Sequence, residues 1–352
     1  LFLAHRDELI RQAAEKFQSM LGHYGVGIEK AEERSAITGN LPRIVVASKD
    51  TLCKASRLKR FDRRRFGVII CDECHHNVHT NRSYANIIEY FEGAKLLGVT
   101  ATPNRTDKVT LGQVFGSVAY KYEILDAIND GWVVPVITAL ETVEGYDLSA
   151  VPKTASGDLS EEKIAELMET NPMLHAVASV ATKYGSRDEK GSPADRPTLI
   201  FCASVTHARM VADLLNGWNA RDGSGSAAAI WSQAKGIPSM PVEVRREIMA
   251  RFRRGEIRYL TNYGIATEGT DLPEIRVVIM ARATASGLLY AQMAGRALRP
   301  HPTEVDALNA CADASRRREI IRASLKPAAI IVDLVGNCGG NFCGLNDCLF
   351  KL

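Results

Sequence analysis

Apolar positions in this chain fall into short runs, separated by stretches in which they recur at helical spacing. Residues 1–4 (Leu-Phe-Leu-Ala) form one such run. A polar turn follows, and then Leu9, Ile10, Ala13, Phe17 and Leu21 share one face of a helix that Asp7 is placed to cap. Apolar runs at 44–47, 68–70 and 96–99 predict further strands, with connections long enough for parallel crossovers. Residues 132–137 (Trp-Val-Val-Pro-Val-Ile) read as the last extended segment of this half. A second series opens at 198–202 (Thr-Leu-Ile-Phe-Cys), and Thr206 is expected to cap a helix bearing Val211, Leu214 and Leu215. A helix over 241–254 carries Val244, Ile248 and Phe252 on one face, with Pro241 at its start and Gly255 at its stop. Strands are expected at 257–260, 277–280 and 329–332. Strand alternates with helix in both halves, which predicts the α/β class with mainly parallel sheets.

The length of 352 residues suits two domains. Residues 141–185 hold eight Asp or Glu, three Lys and no Arg, so 141–195 is read as an acidic, partly helical connector. It separates a first domain, 1–140, from a second, 196–335, with a tail at 336–352. Hydrophobic residues make up 46% and charged residues 24%, a globular composition. No apolar run approaches the 18 or so residues of a membrane span, so no membrane partner is expected. Eight cysteines without a regular framework fit a reducing, cytoplasmic setting. The net charge is only +3, so any basic surface must be local. Lys54 to Arg65 holds seven basic residues and one Asp; this run suits either a groove that tracks a phosphate backbone or a solvated helix face.

The run at 68–76, Val-Ile-Ile-Cys-Asp-Glu-Cys-His-His, carries the strongest chemical signal. An apolar run of this kind reads as a buried parallel strand, and ligands gather at the carboxyl ends of such strands. There Asp72 can hold Mg²⁺ beside a triphosphate, and Glu73 can orient or deprotonate a water. The competing reading is a zinc site drawn from Cys71, Cys74, His75, His76 and His79. Against it, zinc-finger spacing and H-E-x-x-H are both missing, which leaves Cys71 and Cys74 as inert thiols. Cys338, Cys343 and Cys348 likewise lack a zinc framework and read as part of the tail.

Four elements follow one another in order: Asp72-Glu73-Cys74-His75, then Gly98-Val-Thr-Ala-Thr-Pro103, Thr267-Glu-Gly-Thr-Asp271, and Gln292-Met-Ala-Gly-Arg-Ala-Leu-Arg299. Together they resemble motifs II, III, V and VI of the superfamily 2 helicases and translocases. Residues 1–10 resemble motif Ia, and Val46-Ala-Ser-Lys-Asp-Thr-Leu52 resembles motif Ib. The resemblance spans residues 1 to about 335. It is nearest the DNA-acting branch, which includes restriction-enzyme motor subunits and phage or bacterial helicases. The Ser-Ala-Thr and His-Arg-x-Gly-Arg of the RNA-acting DEAD-box branch do not occur.

The resemblance implies two RecA-like domains, the first incomplete, with ATP and Mg²⁺ bound between them and nucleic acid, DNA by preference, crossing both. It gives Glu73, Asp72, Arg296, Arg299 and Gln292 catalytic roles, with Asp72 the metal ligand. Gly269, Asp271, Thr100, Thr102 and His75 would serve the nucleotide, and Arg6, Ser48 and Thr51 the nucleic-acid phosphates. Arg296 and Arg299, three apart, are expected to share a helix face. The family's phosphate loop, G-x-x-x-x-G-K-[ST], does not occur in the chain. The expectation is an N-terminally truncated fragment of a motor, or a chain that has lost the loop. The alternative is a non-catalytic nucleic-acid-binding or scaffold module.

Overall fold

The computed structural model describes residues 1–5, 7–35, 42–74, 82–100, 114–143, 148, 151–152, 159–186, 194–223, 225–265, 272–284 and 287–336. The chain forms two compact units, Leu1–Lys121 and Tyr122–Leu352. Each is built on a parallel sheet, and both are RecA-like.

The first unit runs β1 (Phe2–Ala4), α1 (Asp7–Leu21), β2 (Val26–Glu29), β3 (Ile44–Ser48), α2 (Lys49–Leu52), α3 (Ala55–Leu58), β4 (Val68–Cys71), α4 (Arg82–Tyr90) and β5 (Lys95–Gly98). The strand order is β2-β3-β1-β4-β5, with Leu3 facing Ala47 on one side and Cys71 on the other. One face buries Ile10 and Ala14 of α1 against Ala4 and Val46. The other packs Leu52, Leu58, Tyr84, Ile87 and Phe91 over Val45, Ala47 and Ile69. A sheet covered on both faces needs apolar side chains in both directions, which explains the unbroken apolar runs.

The second unit comprises α5 (Ile124–Asn129), β6 (Val136–Leu140), α6 (Glu161–Met168), α7 (Asn171–Gly185), β7 (Thr198–Cys202), α8 (Val205–Asp222), β8 (Ala227–Trp231), α9 (Val242–Arg253), β9 (Tyr259–Tyr263), β10 (Val277–Ala281), α10 (Gly287–Gly295), α11 (Val305–Ala310), α12 (Ala314–Ala323) and β11 (Ala329–Asp333). Its strand order is β6-β11-β10-β7-β9-β8. Val177, Ala181, Val211 and Leu215 cover one face. Phe252, Met293, Ala294 and Ile321 cover the other. No helix is long and apolar enough among the described residues to cross a membrane.

Three expectations need correction. The first domain ends before residue 122, not at 140, because β6 pairs in parallel with β11 from Ala329↔Val136 to Asp333↔Leu140. Arg317 fixes this entry: it lies 4.2 Å over the Trp132 ring and donates to the Asp130 carbonyl at 2.7 Å. The acidic stretch is helical in part, as read, but it belongs to the second unit rather than standing between two domains. Ile164, Met168, Leu174, Val177 and Ala181 are buried in the second core. Finally, α8 is capped by Ser204 rather than Thr206; the Ser204 hydroxyl accepts from the His207 N–H at 2.8 Å.

Candidate catalytic site

Strand β4 delivers Asp72 and Glu73 to the carboxyl edge of the first sheet. The Asp72 N–H donates to the Leu3 carbonyl at 3.0 Å, continuing the ladder one residue past the strand. Glu73 then breaks it. Its φ is +46°, a left-handed conformation uncommon outside glycine and typical of functional turns. Its N–H donates to Asp72 Oδ1 at 3.0 Å, which orients that carboxylate. Both side chains are half-buried. A half-buried carboxylate at a strand end is the hard oxygen donor that Mg²⁺ takes alongside phosphate oxygens, so Asp72 fits the metal role.

Strand β5 brings the third motif to the same edge. The Val99 N–H donates to the Cys71 carbonyl at 2.9 Å, and the Cys74 N–H donates to the Val99 carbonyl at 3.0 Å. Thr100 therefore leaves the sheet directly beside the Asp72–Glu73 turn. The approach is close: a Cβ on Gly98 would meet the Phe115 ring at 2.5 Å and Cys74 Sγ at 2.8 Å. Cys71 and Cys74 are buried, and burial beside Glu73 pushes the Cys74 thiol up to about 11. It is a poor nucleophile and a poor metal ligand at neutral pH. Among the described residues no group of three His, Cys, Asp or Glu side chains is arranged to hold a metal.

Motif Ib caps strand β3. Ser48 precedes α2 and is buried, and Thr51 Oγ1 accepts from the Ala31 N–H at 3.2 Å. The basic run behind it turns out to be largely structural. Glu29 is fully buried; its Oε1 accepts from Arg57 at 2.7 Å and Arg60 at 3.2 Å, and its Oε2 from Ser35 N–H and hydroxyl at 3.0 Å each. Arg63 pairs with Glu92 and lies over the Tyr90 ring. Lys54, Lys59 and Arg64 remain exposed.

In the second unit α10 carries Gln292 and ends at Gly295, so Arg296 and Arg299 follow the helix rather than sharing its face. Three successive bonds of 3₁₀ type, Arg296 to Met293, Ala297 to Ala294 and Leu298 to Gly295, tighten the exit. The Val134 N–H takes the Leu298 carbonyl at 2.9 Å. Arg296 and Gln292 are half-buried and Arg299 is exposed. Lys326 is fully buried, its Nζ donating to the Pro273 carbonyl at 2.8 Å. This lysine gave no sequence signal. Arg6, His75, His76, His79, Thr102, Gly269, Asp271 and the cysteines of the tail lie outside the described residues.

Residues 1–105 match the family model described as type III restriction enzyme, res subunit, and residues 191–301 that of the helicase conserved C-terminal domain. The Saccharomyces cerevisiae protein that carries the name ATP-dependent helicase IRC3 is 31% identical over 307 residues, covering 86% of this chain and 41% of that protein. A fragment of an HsdR subunit of a type I restriction enzyme from Vibrio vulnificus YJ016 superposes with a TM-score of 0.64 at 22% identity, over 97% of this chain and 54% of that one. The type ISP restriction-modification enzyme LlaBIII, in a structure bound to DNA, gives a TM-score of 0.60 at 15% identity, over 95% and 24%. The chain thus spans less than half the length of the yeast relative.

Proposed function

The chain belongs to superfamily 2 of the helicases and translocases, and from that premise we propose that it forms the motor part of an ATP-dependent DNA translocase or helicase. The observation that carries the reading is the backbone tie from Cys74 to Val99, which sets Asp72, Glu73 and Thr100 together at one sheet edge. Asp72 holds Mg²⁺, whose charge offsets that of the phosphates when it is bound. Glu73 accepts a proton from the attacking water, and the turn that carries it keeps the carboxylate half-buried. Thr100 bonds the Asp72–Glu73 turn or responds to release of the cleaved phosphate. Arg296 and Arg299 donate to phosphate oxygens, for which a guanidinium is shaped. Gln292, Gly269, Asp271, Thr102 and His75 complete the nucleotide contacts. Ser48, Thr51 and Arg6 take nucleic-acid phosphates. DNA is preferred over RNA because of Thr-Ala-Thr-Pro and Gln-x-x-Gly-Arg.

A second reading, a nucleic-acid-binding module without turnover, is favoured by one observation: no Gly-Lys-Ser or Gly-Lys-Thr occurs in the chain. On either reading the 352-residue chain alone turns ATP over slowly at most, since the G-x-x-x-x-G-K-[ST] loop, whose backbone and lysine cradle the β and γ phosphates, does not occur in its sequence. The test uses the full-length protein. Arg299→Ala lowers the catalytic rate by roughly 10³–10⁵ with nucleotide affinity little changed, and Arg299→Lys does not restore it, since an ammonium cannot bind bidentately. Lost affinity with turnover of bound nucleotide intact contradicts the role.

A further inference from the structure

Helix α4 carries two tyrosines that the fold treats differently. The Tyr90 hydroxyl donates to the Phe61 carbonyl at 2.8 Å. Tyr84, in the first turn, is fully buried, and its hydroxyl has no hydrogen-bond partner among the described residues. The ring itself is firmly held. It belongs to one core with Leu52, Cys71, Cys74 and Ile87, and Lys49 Nζ lies 5.7 Å from its centre. Lys49 begins α2, within motif Ib, and pairs with Asp50 at 2.7 Å. Nearly every buried polar group in a folded protein is paired, because an unpaired one keeps the full cost of leaving water. A phenylalanine would fill the same space without that cost. The hydroxyl therefore calls for a use outside the packing of the fold.

Burial is the larger cause that pushes this phenol far above its ordinary range, and Cys71, Asp72, Asp50 and Cys74 add to it. The hydroxyl thus keeps its proton and can donate it. Of the four groups whose charge acts on it, Cys71 and Cys74 are buried thiols, which are weak acceptors. The Asp50 side chain is 62% exposed and already bound to Lys49. Asp72 is half-buried and is the strongest acceptor of the four. Its Oδ1 takes the Glu73 N–H, but a carboxylate has about four lone-pair sites on its two oxygens, so it can accept from further donors as well. A carboxylate that holds a metal is commonly fixed in orientation by such a donor.

We propose that Tyr84 is a positioning residue for Asp72: when the Asp72–Glu73 turn takes up Mg²⁺ and nucleotide, the buried Tyr84 hydroxyl donates to the Asp72 carboxylate and fixes its orientation. The contact of Lys49 with the same ring places this hydroxyl between motif Ib and the turn. The role of Asp72 rests on the motor reading above; the unpartnered hydroxyl does not.

The test is Tyr84→Phe, which keeps the ring and the Lys49 contact and removes one oxygen. The thermal midpoint of the 352-residue chain is expected to be unchanged or higher. In the full-length protein, binding of a fluorescent ADP is measured with Mg²⁺ and again with EDTA. The substitution is expected to weaken binding about tenfold with Mg²⁺, the low end for losing a group that orients a metal ligand, and to leave it unchanged with EDTA. DNA-stimulated kcat falls by a similar factor. A lowered midpoint overturns the proposal, since the hydroxyl would then be serving the fold. Equal weakening with and without Mg²⁺, or a variant indistinguishable from a wild type that turns ATP over, overturns it while the motor reading stands. A wild type with neither Mg²⁺-dependent ADP binding nor turnover overturns both.

Discussion

The backbone N–H of Cys74 donates to the carbonyl of Val99 at 3.0 Å, so the turn after β4 and the exit of β5 are one piece. A change in either must pass to the other. The tie also explains Gly98. Any side chain there meets the Phe115 ring and Cys74 Sγ at distances that real Cβ atoms do not tolerate. Gly98→Ala is expected to cost about 1–3 kcal/mol through overpacking, read as a lower thermal midpoint of the 352-residue chain. An unchanged midpoint would mean that the two exits are not packed as described.

Arg57 is expected to behave as a structural residue. Removing it strips the nearer of two guanidinium partners from the fully buried Glu29. Arg57→Ala should cost about 3 kcal/mol, the low end for breaking a buried pair because Arg60 remains. Arg64→Ala, at an exposed position, should stay within about 0.5 kcal/mol of the wild type. Chemical denaturation separates the two, and equal stability of both variants would return the basic run to the solvated-face reading.

That contrast shows where the sequence was legible. Thr198–Cys202 and Val277–Ala281 are buried throughout, so their apolar runs stand out. Val26–Glu29 and Ala227–Trp231 are edge strands; with a glycine and a glutamate in one and three alanines in the other, neither shows a strong strand pattern. The Asp72–Glu73 pair and the arginines of motif VI were legible as residue types. The end of α10 at Gly295 was not, nor was the pairing of Arg57 with a glutamate 28 positions earlier, because a run of charges does not reveal its partner. The domain boundary was misplaced because β6 is continuous with the first half in sequence but pairs with the last strand of the chain.

Lys326 gives a signed pH dependence. Burial, with Arg299 and Arg276 adding and Glu274 opposing, lowers its pKa to about 7 from 10.5. Between those values the unfolded chain binds more protons, so this lysine makes stability rise with pH through that window. Its penalty is fully present below about 7. Lys326→Met removes the rise. The measurement is the difference in unfolding free energy between wild type and variant from pH 7 to 10. A difference that does not change with pH contradicts the burial of an ionisable group there.

Glu73 is the residue on which the account turns, and its φ of +46° allows two variants to be read together. Glu73→Gly relieves a backbone conformation that costs about 1–3 kcal/mol in a side-chain-bearing residue, and Glu73→Gln keeps the shape without the base. The most direct measurement is DNA-stimulated ATP turnover by the full-length protein and both variants, alongside nucleotide affinity. The account predicts stimulated turnover in the wild type, none in either variant, and retained ATP binding in Glu73→Gln. Wild-type turnover in Glu73→Gln, or ATP binding lost with that substitution, would contradict it.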